Sequence, residues 1–165
     1  MTSKSLTAQR VLDELKKWGV THIVWLPDSE ARFMYEAMMG QDEISLVPVC
    51  REGEAIAIAT GLILGGKKPV VLHQNSGLFE SGDSVVSLSL DLEIPVLLLI
   101  GYRGWRRDTP MTDAAGIFLE PTLKAWGINH YLMETDEDVE KISTGFREIE
   151  ETNRPVAILI GRGYR

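Results

Sequence analysis

The sequence lacks the marks of several common classes of protein. Its one cysteine, Cys50, cannot form an internal disulfide, and no cysteines and histidines stand at zinc-ligand spacing, so we expect a reducing, cytoplasmic environment. No apolar run is long enough to cross a bilayer, and residues 1–6 lack the apolar core of a secretion signal. A basic surface is also missing: the formal net charge is -7, which argues against nucleic acid or an anionic membrane as the main partner.

What remains is an ordinary globular composition. A chain of 165 residues, 44% of them hydrophobic, is long enough to form one hydrophobic core. It is short for two domains that each have a core of ordinary size. We therefore expect residues 1–165 to form a single domain. The sequence shows neither a Ser-His-Asp order nor a glycine-rich phosphate or dinucleotide loop, so the chemistry has to be sought elsewhere.

Apolar residues recur at helical spacing in six segments, and these alternate with six short apolar runs. The predicted helices are residues 7–18, 30–39, 52–64, 81–90, 114–126 and 136–150; Gly19 is expected to end the first, and Thr135 to cap the last. The predicted strands are residues 22–26, 45–49, 70–74, 95–100, 129–133 and 156–160. Several strands are apolar without alternation, as expected when helices cover both faces of a sheet. The sequence thus predicts an α/β fold with three layers (α/β/α) around a doubly wound, mostly parallel, six-stranded sheet.

In such sheets the ligand lies beyond the carboxyl ends of the strands. Four segments fall there, namely residues 27–29, 50–54, 75–81 and 101–108. In the first, Asp28 or Ser29 could cap the next helix, and the same residues could act on a ligand. These two roles do not exclude each other.

The second segment opens a helix at Glu52, and this carboxylate could simply be a charge that favours the helix terminus. The helix that follows, however, carries alanine at 55, 57 and 59 and glycine at 61, where an ordinary surface helix would carry Lys and Glu. These small residues permit close approach of another backbone or of a flat ligand. We therefore favour a binding role for this helix.

The third segment, from His73 to Leu78, contains the turn formers Asn75, Ser76 and Gly77 and could be a turn with no other role. The fourth contains Arg103 and two further arginines in an acidic protein; arginine suits the binding of a carboxylate or a tetrahedral oxyanion, although a solvated surface loop is an equal alternative. Cys50 is expected to be a small buried residue, and both His22 and His130 are expected to be structural.

Together these segments resemble the pyrimidine-binding domain of thiamine-diphosphate enzymes, in particular sulfopyruvate decarboxylase alpha subunits and the N-terminal half of phosphonopyruvate decarboxylases. The resemblance spans nearly the whole chain. It is carried by Pro27-Asp28-Ser29, by residues 52–61, by Gln-Asn-Ser-Gly-Leu at 74–78 and by Ile-Gly-Tyr-Arg-Gly at 100–104. After Leu78 the family usually continues Gly-Asn, whereas this chain has Phe79 and Glu80.

The resemblance implies a role for each matching residue. Glu52, nine residues before Gly61, corresponds to the glutamate that binds the pyrimidine nitrogen N1′ and activates the cofactor. Burial against the helix and a partner surface is expected to help it hold a proton. Asp28 is expected to handle protons near the substrate. The implied cofactor contacts are Glu52, Asn75, Ser76, Gly77 and Leu78, and the implied substrate contacts are Ser29, Gln74 and Arg103.

The resemblance also implies that half of the cofactor site lies on another protein chain. The diphosphate is normally held through a divalent metal, Mg²⁺, by a Gly-Asp-Gly motif on a second domain, and this chain has no such motif; Gly82-Asp83-Ser84 is the nearest match. A beta subunit would then supply the diphosphate and metal site, and this chain would bind no metal. The implied activity is decarboxylation of an anionic 2-oxo acid to an aldehyde and CO2. Carboligation by a related enzyme, or a non-enzymatic flavodoxin-like binding module, are the alternatives.

Overall fold

The computed structural model describes residues 5–161, which contain one six-stranded sheet in which every neighbouring pair is parallel. The strands are β1 His22–Trp25, β2 Ser45–Pro48, β3 Pro69–Gln74, β4 Leu97–Gly101, β5 Asn129–Met133 and β6 Val156–Ile160, in the order β2-β1-β3-β4-β6-β5. Residues 1–4, part of the segment judged to lack a secretion signal, lie outside the described residues.

The helices lie on both faces of this sheet. They are α1 Ala8–Lys17, α2 Tyr35–Met39, α3 Glu52–Leu64, α4 Asn75–Glu80, α5 Gly82–Ser84, α6 Ala114–Ala125 and α7 Lys141–Thr152, with 3-10 turns at Arg32–Met34 and Asp136–Asp138 and a π-helix at Val85–Asp91. Apolar residues of α1, α2 and α7 form one core with one face of the sheet, and those of α3, α4 and α6 form a second core with the other face. The predicted three-layer, doubly wound α/β fold is confirmed.

The first helix shows why the spacing of apolar residues predicted the helices. Val11, Leu12 and Leu15 recur at helical spacing, and all three are fully buried against the sheet. The helix ends where Gly19 takes a positive φ of 67°, as predicted, because glycine adopts this conformation without a steric penalty. Thr135 was predicted to cap the last helix, but it precedes a separate 3-10 turn, where its backbone N–H donates to the Asp138 carboxylate, and α7 begins only at Lys141.

Three predicted helices differ from the structure. The chain from residue 30 to 34 bends and makes a 3-10 turn before α2, and the last helix begins at Lys141, after a separate 3-10 turn. The third difference concerns the site: residues 75–80, predicted as a turn, form α4, and the predicted helix 81–90 is a short α-helix followed by a π-helix. The Asn75 side chain explains the change, because its amide donates to the Arg103 carbonyl (2.9 Å) and its oxygen accepts from the Ser76 N–H (3.0 Å). These bonds allow the chain to enter a helix directly from β3.

The strand order sets the position of the ligand edge. The chain leaves β1 for β2 on one side of the sheet, and β3 pairs with β1 on its other side. Such a reversal of direction opens a crevice between neighbouring strand ends. Asp28 follows β1, and Gln74 ends β3, so the first and third candidate segments meet at this point.

Candidate active site at the carboxyl ends of the strands

Glu52 is the first residue of α3 and is half-buried in the isolated chain. The preceding Arg51 is extended (φ -145°, ψ 145°), and the chain turns into the helix at Glu52. Glu54, by contrast, is exposed, and its carboxylate accepts a hydrogen bond from the Cys50 N–H (3.1 Å). The structure therefore gives the two acidic residues of this turn different surroundings.

The Glu52 side chain lies directly on the backbone of α4 at Gly77. A Cβ added to Gly77 would lie 2.5 Å from Glu52 Cγ and 2.8 Å from its Oε1, which is closer than real Cβ atoms come to other heavy atoms. Only glycine at position 77 leaves room for the glutamate in this position. The second and third candidate segments are thus brought together through this contact.

The other residues of the third segment have different surroundings. Asn75 and Leu78 are completely buried, with the Asn75 carboxamide engaged as described above, whereas Ser76 is half-buried. Gln74 accepts a hydrogen bond from Arg103 Nη1 (3.3 Å). The roles of these residues as cofactor or substrate contacts stay predictions.

Asp28 binds the bend that follows it and lies in a shielded position. Its Oδ1 accepts from the Ala31 N–H (2.8 Å), but Ala31 itself is the N-cap of the next 3-10 turn, and no side chain caps that turn, so the predicted helix-capping role is wrong. The Asp28 Oδ2 is buried and has no partner among the described residues. Burial raises the pKa of the Asp28 carboxyl, and backbone N–H groups of Ala31, Glu30 and Gln74 offset part of that effect. A carboxyl that keeps its proton more readily suits a group that exchanges protons at a ligand.

An open groove of about 760 Å³ lies beside Asp28. Its walls come from β1, β2 and α2, and Trp25, Tyr35 and Met39 make it largely apolar. Asp28 and the exposed Ser29 both line it. Asp28 therefore borders this groove on one side and the backbone of Gln74 on the other.

Arg103 is held by an acidic residue that was not predicted. Its guanidinium donates to both oxygens of Asp113, at 3.0 and 3.4 Å, in addition to its bond to Gln74. Asp113 also accepts from the Gly116 N–H as the N-cap of α6, and the arginine lowers the pKa of the Asp113 carboxyl. An aspartate immediately before a predicted helix was the signal available in the sequence. Binding of a substrate anion by Arg103 stays a prediction, and it would have to compete with this pair.

Glu80 is a second residue that was not predicted at the site. Its Oε1 accepts from Arg51 Nε (2.8 Å) and Nη2 (2.6 Å), and its Oε2 accepts from the Gly53 N–H (2.7 Å). These partners, the Gly53 N–H first, lower the pKa of the Glu80 carboxyl. The departure from the family pattern after Leu78 marked this position without indicating its role.

The prediction for Cys50 is wrong, because the residue is exposed. It lies in the short loop between β2 and α3 and belongs to neither hydrophobic core. His73, near the end of β3, is by contrast a polar residue that is buried (1% exposed). Its Nδ1 lies 2.9 Å from the Gln74 carbonyl oxygen, and its Nε2 has no partner among residues 5–161.

Because of His73, the free energy of unfolding of the chain should depend on pH. Burial lowers the pKa of His73 to about 4, whereas the unfolded chain binds this proton near pH 6.5. Between these values the unfolded state binds more protons, so acidification from pH 6.5 to 4 should destabilise the fold by up to about 3 kcal/mol through this residue. Asp28 acts in the opposite direction, because its raised pKa lets the folded chain keep a proton.

We expect His73→Leu to remove this dependence, which urea unfolding at several pH values would measure as a shallower slope of unfolding free energy against pH. Ser89→Ala, a buried change that removes no titratable group, is the control and should leave the slope unchanged. An unchanged slope in His73→Leu would show that other groups cause the acid dependence.

Among residues 5–161, no three His, Cys, Asp or Glu side chains gather as a metal site. Within the same residues, no helix combines the length and the apolar character needed to cross a membrane.

The parallel sheet, the crevice at its strand reversal and the polar residues along that edge are those of an α/β domain that binds a small ligand. Residues 6–115 match the family described as thiamine pyrophosphate enzyme, N-terminal TPP binding domain, and the chain belongs to this family. The resemblance inferred from the four segments is thereby confirmed.

Relatives of similar length include sulfopyruvate decarboxylase subunit alpha of Methanocaldococcus jannaschii, 30% identical over 93% of this chain and 92% of the relative. The same subunit of Methanococcus maripaludis is 28% identical over 99% of this chain and 97% of the relative. A phosphonopyruvate decarboxylase of Streptomyces hygroscopicus is 30% identical over 67% of this chain, which corresponds to 28% of that protein.

A solved structure, benzoylformate decarboxylase from Polynucleobacter necessarius, superimposes with a TM-score of 0.78 at 19% identity. The match covers 98% of this chain and 31% of that one, so this chain spans about a third of the solved enzyme. At this identity the likeness shows the fold.

Proposed function

We propose that this chain is the alpha subunit of a split thiamine-diphosphate-dependent 2-oxo acid decarboxylase that is active only with a partner subunit. The substrate is sulfopyruvate, phosphonopyruvate or a similar anionic 2-oxo acid, and the products are an aldehyde and CO2. The names of the relatives support the substrate class, and the word alpha in two of them supports the existence of a partner. We place the reaction in the cytoplasm.

The observation that carries the proposal is the position of Glu52. Its side chain starts at the first residue of α3, on the ligand edge of the sheet, and lies against the backbone of Gly77. A half-buried acid with one open side fits a heteroaromatic nitrogen that has to receive a hydrogen bond. The residues present therefore fit the pyrimidine half of the cofactor.

Thiamine diphosphate supplies the electron sink that makes loss of CO2 from a 2-oxo acid feasible. The residues of this chain bind the pyrimidine half of the cofactor and exchange protons there. Glu52 holds a proton at the ring nitrogen, α4 fixes the direction of that carboxyl through Gly77, and Asp28 exchanges a proton near the reacting carbon. Arg103, released from or shared with Asp113, would bind the anionic end of the substrate.

A partner surface is favoured by the layer that contains Glu52. Large apolar side chains are exposed on its helices: Leu64 (73%), Phe79 (39%), Val86 (41%), Ile117 (47%) and Phe118 (59%). On α3 itself, Ala55 and Ala59 face the core, whereas Ala57 and Gly61 face outward. Large apolar side chains exposed on the helices of one layer favour a protein interface there. We propose that the beta subunit covers it and brings the diphosphate and Mg²⁺ site, with its Gly-Asp-Gly motif.

The direct test is to combine the purified chain with a candidate beta subunit and titrate thiamine diphosphate and Mg²⁺ by calorimetry. CO2 release is then measured with sulfopyruvate, phosphonopyruvate and pyruvate. We expect cofactor binding and turnover only in the mixture, with an anionic substrate preferred. Formation of a coupled product in place of the aldehyde would instead indicate a carboligase, and binding of the cofactor by the chain alone would contradict the split site.

Gly61 provides a sharp test of the partner surface. A Cβ at this position meets no atom within 4 Å in the chain, and alanine favours a helix over glycine by about 1 kcal/mol. We therefore expect Gly61→Ala to stabilise the isolated chain and yet to weaken its binding to the beta subunit, because an added methyl group keeps two closely approaching backbones apart. Thermal unfolding and calorimetric titration measure the two effects.

The control for Gly61→Ala is Glu151→Ala, an exposed change on α7 in the opposite layer. It should leave partner binding unchanged. If Gly61→Ala stabilises the chain and binds the partner as tightly as before, α3 is not the covered face.

A further inference from the structure

We propose that Glu80 is a positioning residue, which directs the Glu52 carboxyl by fastening the first turn of α3 to the end of α4. This inference rests on the proposed function, because it concerns the orientation of the glutamate that acts on the cofactor. The residue itself need not touch cofactor or substrate.

The start of α3 has no cap of its own. The N-cap position is Arg51, whose side chain makes no capping hydrogen bond, so the first N–H groups of the helix need acceptors from elsewhere. Glu80 provides one, since its Oε2 accepts from the Gly53 N–H at 2.7 Å. A carboxylate at this end also interacts favourably with the helix dipole.

The same carboxylate holds the other side of Glu52. Its Oε1 accepts from Nε and Nη2 of Arg51 at 2.8 and 2.6 Å. Glu80 thus binds the residue before and the residue after Glu52. The bond to Gly53 holds the backbone of the turn and so fixes the direction in which the Glu52 side chain leaves it, whereas the bonds to Arg51 hold only an exposed side chain.

Glu80 and Gly77 act from the same helix. They are three residues apart on α4, and residues at this spacing share one helix face. Gly77 receives the Glu52 side chain, and Glu80 receives the backbone of the turn that carries it. A Cβ at Gly53 would meet Glu80 Oε2 at an ordinary 3.5 Å, so the approach of Glu80 depends on the bond to the Gly53 N–H and not on the missing side chain. The direction of the Glu52 side chain is therefore set by two contacts from α4, one at Gly77 and one at Glu80.

The capping bond and the ion pair contribute differently. The Arg51 side chain is 76% exposed, and exposed ion pairs add little to stability. The bond to Gly53 satisfies a helix N–H that has no other acceptor within the helix. We therefore expect the position of Glu52, and with it the activity, to depend more on the hydrogen-bond acceptor at residue 80 than on the negative charge there.

This difference defines the experiment, which compares Glu80→Ala, Glu80→Gln and Arg51→Ala in the complete complex with its beta subunit. Glu80→Ala should lower kcat by about 10- to 100-fold with little change in KM, the size expected when a reacting group is displaced by about 1 Å. Glu80→Gln keeps an acceptor oxygen and should restore most of the activity, and Arg51→Ala should remain close to the unchanged protein.

Amide hydrogen exchange of the isolated chain, without cofactor, gives a second readout. Exchange at Gly53 should become about fivefold faster or more in Glu80→Ala, the effect of losing a helix cap, and less so in Glu80→Gln. Equal kcat losses in the alanine and glutamine variants would overturn the proposal, as would faster Gly53 exchange in Glu80→Ala with unchanged kcat. Failure of the proposed function would show differently, as an active Glu52→Gln complex in which these exchange differences persist.

Discussion

Replacing Glu52 by glutamine should leave the chain folded and bound to its partner but lower decarboxylation by about 10²- to 10⁴-fold, the range that a positioned proton-exchanging group contributes. Glutamine has nearly the same shape, so the contact with Gly77 can persist. It cannot, however, exchange a proton with the pyrimidine nitrogen. Turnover and calorimetric binding of the beta subunit, measured on the same preparation, separate loss of chemistry from loss of assembly.

The chain offers a closely matched control in Glu54→Gln. Glu54 stands two residues later in the same helical turn, is exposed, and binds the Cys50 N–H. Its replacement removes the same charge from the same helix end, so effects of the helix dipole and of net charge are equal in the two variants. We expect Glu54→Gln to keep most of the activity. If instead Glu54→Gln is the inactive variant, the assignment of Glu52 from its spacing to Gly61 is wrong.

The sequence predicted the fold and the residues of the ligand edge better than it predicted their local conformation. Strand positions could be found because several strands, β4 and β6 above all, are nearly continuous apolar runs, and α3 was predicted with the boundaries it has, Glu52–Leu64. The segment after β3 was mispredicted because Asn, Ser and Gly favour turns locally. The deciding interaction, from Asn75 to the Arg103 carbonyl, joins residues 28 positions apart and cannot be seen in a local pattern.

The same limit explains why the interaction partners of the candidate residues could not be predicted. The loop containing Arg103 was predicted to lie at the ligand edge, but the pairing of Arg103 with Asp113 depends on how the loop folds back onto α6. Cys50 was judged from the average behaviour of cysteine, and its exposure follows from the chain leaving the sheet at this point. The contact between Glu52 and Gly77 likewise joins two loops whose separation is fixed only by the packing of α3 and α4.

That contact leads to the second large expected effect. Gly77→Ala should lower decarboxylation nearly as much as Glu52→Gln, although residue 77 carries no reacting group. The new Cβ would lie 2.5 Å from Glu52 Cγ, and a half-buried side chain relieves such an overlap by turning to another rotamer. Alanine is also a better helix former than glycine, so the isolated chain should keep its stability while activity falls. Thermal unfolding and turnover measure these two results.

A double replacement identifies the cause of that loss. If Gly77→Ala acts by displacing the Glu52 carboxyl, adding it to Glu52→Gln should cost little further activity, because the group it displaces no longer functions. If the methyl group instead blocks the cofactor directly, cofactor affinity should fall in the glutamine background as well. Gly82→Ala is the matched control, since a Cβ there meets Trp126 at an ordinary 3.5 Å. Activity in that control should be retained, because the overlap with Glu52, and not the loss of a glycine from this stretch of chain, is what disables the site.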